Sequence, residues 1–145
     1  LKNDKLEWVV QKATELGVGR IILMKTKHCV KQDASESFIQ RLRKIAQEAA
    51  EQSEGAQIPI IDTPQSFNHV IDTAQSLGKV HLLNERGGEA FAGISKGVFL
   101  VGPEGGFDES EFLYATSKGV TMVSLGKRIL RAETAALAVL AKVLL

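Results

Sequence analysis

Apolar residues recur along this chain at two spacings, and the alternation between them predicts the fold. Leu6, Val9, Val10, Ala13 and Leu16 share one helical face, with Asp4-x-x-Glu7 reading as a capping box at the start and Gly17 as the stop. Ile21-Ile22-Leu23-Met24 is a short continuous apolar run, the pattern of a buried strand. A second amphipathic helix is predicted over residues 35–52, with Phe38, Leu42, Ile45, Ala46 and Ala49 on its apolar side. Ile58-Pro59-Ile60-Ile61 reads as an edge strand, because proline cannot donate to a ladder. Thr63-Pro64 then reads as the N-cap and first residue of a helix presenting Phe67, Val70, Ile71 and Ala74. Residues 80–83 and 98–101 are unbroken apolar runs, as strands covered on both faces are. Asp108-x-x-Glu111 caps a further helix stopped at Gly119; residues 120–125 form another strand and residues 132–145 the last helix.

Helices alternating with short apolar strands predict an α/β fold, a mainly parallel sheet with helices on both faces. The last helix is apolar almost all round and must be buried; in a chain this small a second copy supplies part of the cover, so a twofold homodimer is expected. The 145 residues fit one domain, and 44% hydrophobic with 24% charged residues exclude a disordered chain. A net charge of +1 gives no global field, so any nucleic-acid surface is a local patch. The single Cys29 suits a reducing cytosol, and His28, His69 and His81 lack metal-ligand spacing, so no metal is expected. The first residues are polar, without a signal-peptide core, and the longest apolar stretch, residues 135–145, is too short to span a bilayer. A cytoplasmic protein without a membrane segment is expected. No Met stands first, which fits a piece excised from a longer chain.

Two glycine-bearing segments carry the candidate chemistry. Gly102-Pro103-Glu104-Gly105-Gly106 and Gly126-Lys127-Arg128-Ile129-Leu130-Arg131 each lie between an apolar strand and a helix, where open α/β sheets bind ligands. The first is neither a Walker A loop nor a dinucleotide fingerprint, since its glycines stand at the wrong offsets and no Gly-Lys-Ser/Thr follows. Glu104, with Asp108 and Glu109 close behind, would repel a pyrophosphate. The loop therefore suits a neutral or cationic ligand that approaches the backbone closely; S-adenosylmethionine, phosphate-free and a sulfonium, fits. The competing reading is a tight turn needing positive φ at Gly105 or Gly106. Lys127, Arg128 and Arg131 gather at the positive end of a helix dipole, a mildly unfavourable place that an anionic partner would relieve.

Four segments together resemble the catalytic domain of the ribosomal small-subunit RNA uridine-N3 methyltransferases (RsmE family) of the SPOUT superfamily. They are Gln11-Lys12-Ala13-Thr14-Glu15-Leu16-Gly17-Val18, Glu48-Ala49-Ala50-Glu51-Gln52-Ser53, Leu100 through Phe107, and Ser124-Leu125-Gly126 with Ile129-Leu130-Arg131-Ala132-Glu133-Thr134-Ala135-Ala136. The resemblance implies a C-terminal trefoil knot, an obligate dimer, and S-adenosylmethionine held by three loops. In this sequence the cofactor-binding residues would be Leu82, Leu83, Asn84, Glu85, Gly102, Pro103, Glu104, Gly105, Gly106, Leu125, Gly126, Ile129, Leu130 and Thr134. Arg131 is the candidate to stabilise charge on the uracil, Glu104 the candidate general base or else a loop-structuring residue, and Lys12, Lys27, Lys31, Gln52 and Arg128 the candidate contacts to small-subunit rRNA. The family's N-terminal PUA-like barrel is expected to lie outside this chain, so that residues 1–145 are the catalytic domain alone and bind RNA poorly. Two family arginines are missing here, one where His28 stands and one in the Ser53-Glu54-Gly55-Ala56 stretch, with Lys27, Lys31 and Arg41 near enough to compensate. A methyltransferase of the same superfamily acting on tRNA or ribose 2′-O, a non-catalytic RNA-binding module, and a phosphate-using nucleotide enzyme remain the competing functions.

Overall fold

A computed structural model describes residues 1–29 and 35–145. The first helix, α1 (Asn3–Leu16), starts two residues ahead of the expected capping box: Lys2, not Asp4, is the N-cap and makes no side-chain cap, and Asp4 stands in the first turn, where its negative charge interacts favourably with the positive end of the helix dipole. Gly17 closes the helix in the left-handed region, at φ 97°. Strand β1 (Arg20–Lys25) leads toward α2 (Glu36–Gln52), whose N-cap Ser35 accepts from Phe38 N–H.

Strand β2 (Ile60–Ser66) corrects the expectation at Thr63-Pro64. Those residues start no helix; the chain stays extended to Ser66, which caps α3 (Phe67–Ala74) by accepting from His69 N–H. The register explains how proline is tolerated. Ile22 pairs with Asp62 but Met24 with Gln65, so β2 carries one extra residue as a bulge around Thr63 and Pro64. The β2 edge away from β1 pairs with no other strand among the described residues, which is where a residue without an N–H fits.

The remaining elements are β3 (Val80–Leu83), β4 (Glu89–Ala90), β5 (Val98–Leu100), α4 (Glu109–Ser117), β6 (Thr121–Ser124) and α5 (Ala132–Leu144). Two-residue β4 is too short for periodicity to reveal. Every strand pair is parallel, as expected of an α/β fold, but the strands form two sheets: β1-β2, and β4-β6-β3-β5. Residues of β1 and β5, with α1 and α5, line an apolar cavity of about 530 Å³ between them.

Each sheet has its own core. Leu6, Val10, Leu23, Phe38, Ile39, Leu42, Ala46 and Ile61 pack α1 and α2 onto β1-β2. Phe67, Val70, Ile71, Ala74, Leu82, Leu100, Phe107 and Ala115 pack α3 and α4 onto the larger sheet. The final helix departs from its pattern: within this chain only Ala132 and Val139 of α5 are buried, and Leu144 is 42% exposed. No helix among the described residues is long and apolar enough to cross a membrane.

Candidate functional site

The parallel register sets three loops on one rim. Leu83 of β3 lies opposite Val123 of β6, and Leu82 opposite Leu100 of β5, so the chain leaves all three strands at the same edge. From the central strand β3, one neighbour was laid down on each side, the arrangement that opens a crevice at the carboxyl ends. The loops after β3, β5 and β6 enclose a cavity of about 680 Å³, a size suited to a small-molecule ligand.

Each loop is fixed by its own sequence. After β3, Asn84 N–H donates to the Val123 carbonyl at 2.9 Å, and Asn84 Oδ1 accepts from Arg86 N–H at 3.2 Å, an Asx turn. Gly88, at φ 113°, presses so close to β6 that a Cβ would sit 2.8 Å from the Met122 carbonyl oxygen. In the loop after β5, Gly106 N–H donates to the Pro103 carbonyl at 2.8 Å and Gly106 takes φ 75°, so the positive-φ turn is real. A Cβ on Gly102 would meet the Phe107 ring at 2.9 Å, and one on Gly105 would meet His28 Cβ at 3.1 Å. The bare backbone here is thus imposed by packing from below as well as by the turn.

Contacts on both sides hold this loop in place. His28 Nδ1 donates to the Gly105 carbonyl at 3.1 Å, and His28 Nε2 lies 3.3 Å from Asp108 Oδ1. Asp108 is the N-cap of α4, with Glu111 reaching back in the capping box that the sequence predicts. Bonds from the Ser110 hydroxyl and backbone N–H, assisted by His28 and Lys27, hold the Asp108 carboxyl down to about 2. On the other side, Lys5 Nζ lies 3.2 Å from Glu104 Oε1 and 3.5 Å from Glu133 Oε1, joining α1, the glycine loop and the first turn of α5.

Among the residues expected to bind a cofactor, Leu83, Asn84, Glu85, Gly102, Pro103, Glu104, Gly105, Gly106, Leu125, Gly126, Ile129 and Leu130 all line the cavity, together with Arg128 and Arg131. Leu82 does not. Strand alternation turns its side chain into the core under α3, where it is fully buried. Thr134 does not either: it is exposed on α5, while Ala132 and Ala135 are the helix residues that face the cavity. Glu104 is also not arranged as a strong proton acceptor. The hydrogen bond and the charge of Lys5 hold its carboxyl below the ordinary range, and its partner is that ammonium rather than the backbone of its own loop.

The expected RNA contacts separate. Arg128 is exposed at the cavity mouth, whereas Lys12 pairs with Glu15 at 3.1 Å along α1, and Gln52 ends α2 in the open. Lys27 is drawn into the α4 cap, donating to Ser110 Oγ at 2.7 Å. Lys31 lies outside the described residues. Sequence reasoning missed Arg86 and Lys5, both of which line the cavity. Arg86 follows directly on the predicted loop and was within reach of the same argument; Lys5, 99 residues from Glu104, carries no local signal.

With this geometry in hand, the comparisons with known proteins decide the family. A family model described as an RNA methyltransferase domain matches residues 1–144. The chain belongs to that family. Within it, the chain is 36% identical to the ribosomal RNA small subunit methyltransferase E of Bacillus subtilis over 151 aligned positions, covering 94% of this chain and 59% of that protein. The protein of the same name from Rickettsia conorii is 36% identical, over 99% of this chain and 60% of its own length. Among solved structures, a ribosomal RNA small subunit methyltransferase E from Neisseria gonorrhoeae bound to S-adenosyl methionine superposes with a TM-score of 0.87 at 33% identity, over 96% of this chain and 60% of that one. A putative methyltransferase from Legionella pneumophila, in complex with the same cofactor, gives 0.86 at 30% identity. The chain spans about 60% of the length of these relatives. The RsmE resemblance carried by the four motifs holds.

Proposed function

We propose that this chain is the catalytic domain of an S-adenosylmethionine-dependent methyltransferase acting on N3 of a uridine in 16S ribosomal RNA. The observation that carries the reading is the cavity at the carboxyl rim of the parallel sheet, built by the same loops whose motifs resemble the family. Its donor set suits the cofactor. Leu83, Leu125, Ile129 and Leu130 offer apolar cover for an adenosine, Gly102 and Gly105 present backbone without a side chain, and the exposed Glu85 offers a carboxylate to a positively charged group of the ligand. Relatives with S-adenosyl methionine bound superpose over nearly the whole chain.

When bound, the cofactor supplies an electrophilic methyl group on sulfonium sulfur. The chain's own residues then have two tasks. The three loops orient the reacting groups, from which most of the acceleration of such a displacement comes. Arg131, N-cap of α5 at the cavity mouth, is assigned to stabilise the negative charge that spreads onto the uracil carbonyl oxygens as N3 gives up its proton to solvent water. Glu104 is assigned to fixing its loop through Lys5 rather than to proton abstraction, because a carboxyl held low is a weaker base. Arg128 is assigned to the RNA.

The proposal includes a homodimer, supported by the half-exposed apolar residues of α5, and the trefoil knot, supported by the insertion of β6 between β3 and β4 after β5 has paired on the other side. Calorimetric titration of S-adenosylmethionine into the chain is expected to saturate, and rRNA from cells lacking the protein is expected to lose one N3-methyluridine by mass spectrometry. Absence of both results refutes the reading.

A further inference from the structure

The six arginines fall into two groups. Arg20 pairs with Asp62 at 2.7 Å, Arg41 with Glu7 at 2.6 Å, and Arg43 donates to the Ile61 carbonyl at 2.9 Å. Arg86, Arg128 and Arg131 have no side-chain hydrogen bond or salt bridge among the described residues, and all three line the cavity. Two of these have tasks under the proposed function; Arg86 has none.

Its surroundings say what it is for. Arg86 stands at the apex of a loop anchored at both ends, by Asn84 to β6 on one side and by the contact of Gly88 with Met122 on the other. Next to it Glu85 also lines the cavity, also exposed and without a side-chain hydrogen bond or salt bridge among the described residues. Two opposite charges, adjacent in sequence and unpaired with each other, face the same space. A phosphodiester would meet Arg86 favourably but be repelled by Glu85. A zwitterion satisfies both.

Resting on the proposed function, we infer that Glu85 and Arg86 recognise the α-amino-acid end of S-adenosylmethionine, Arg86 taking the carboxylate and Glu85 the ammonium. Arg86 suits the carboxylate because guanidinium and carboxylate match as a two-pronged hydrogen-bonded pair. The residues thereby select cofactors carrying the amino-acid tail over nucleosides that lack it.

The test compares S-adenosylhomocysteine with 5′-methylthioadenosine by calorimetry. Both are neutral thioethers of adenosine, and they differ in the tail. The wild-type chain is expected to prefer the former by about tenfold or more, the value of one charge-assisted hydrogen bond. Arg86→Ala and Glu85→Gln are each expected to reduce that preference several-fold while leaving 5′-methylthioadenosine affinity unchanged, with Arg86→Lys restoring part of it. Both side chains are exposed and make no bond among the described residues, so both variants are expected to melt with the wild type. Equal loss for the two ligands, loss for neither, or a wild type without preference overturns the inference while leaving the proposed function standing. A wild type that binds neither ligand overturns the proposed function itself.

Discussion

The β1-β2 half of the molecule and the rim of the four-stranded sheet treat charge in opposite ways. In the first, arginines are consumed internally: Arg20 ties β1 to β2 through Asp62, Arg41 ties α2 to α1 through Glu7, and Arg43 closes on a strand carbonyl. At the rim, three arginines stand beside a cavity with no acid bonded to them among the described residues. A guanidinium that is paired contributes to holding elements together, whereas an unpaired one facing a cleft is available for an incoming anion. The comparison separates framework from function without appeal to sequence similarity.

The sharpest way to break it is Arg131→Ala. Turnover on a small-subunit rRNA substrate is expected to fall by roughly 10²–10³-fold, as when one charge-stabilising donor is removed, while stability stays within about 0.5 kcal/mol. Intact turnover in a single-turnover methyl-transfer assay sinks the assignment. The converse cut is Ile71→Ala. Ile71 lies on the buried face of α3, fully enclosed against the larger sheet, and truncating it is expected to cost about 2–5 kcal/mol in denaturant unfolding while the surviving folded fraction keeps its cofactor affinity.

An intermediate effect concerns the cap that braces the glycine loop. The Asp108 carboxyl is held down to about 2, below the roughly 3.9 of an unfolded chain, so its contribution is present above that ordinary value and lost as pH falls toward 2. Asp108→Ala is therefore expected to melt below the wild type at pH 7, with the two curves converging between about pH 4 and pH 2. A gap independent of pH would show that the carboxylate's charge is not what matters. The smallest effect is expected from Arg41→Ala: a minor drop in melting temperature, lessened by salt, and no change in cofactor binding, since exposed ion pairs contribute little. If Arg41→Ala impairs turnover as much as Arg131→Ala, the division into two regions is wrong.

How far the sequence alone reached can be followed residue by residue. Helix stops at Gly17 and Gly119 and the cap at Asp108 were legible because they are local: the torsion or hydrogen bond that ends the helix belongs to the residue itself. The helix expected at Pro64 failed because Thr-Pro is ambiguous between a cap and an extended edge, and only pairing with β1 decides between them. The family resemblance implies Leu82 and Thr134 at the cofactor site, but side-chain direction, which alternates in strands and rotates in helices, keeps both off the cavity lining.

What the sequence determined by itself was the kind of most elements and the place of the two glycine loops, because these follow from torsional freedom and apolar spacing within a few residues of chain. What only the tertiary structure decided was the company those loops keep. Parallel register places the ends of β3, β5 and β6 on one rim, the α1 lysine Lys5 reaches Glu104 and Glu133 across most of the chain, and Arg86 is left open while Arg41 is closed. Such outcomes depend on contacts between residues far apart in sequence, and no local pattern encodes which of two like side chains will find a partner.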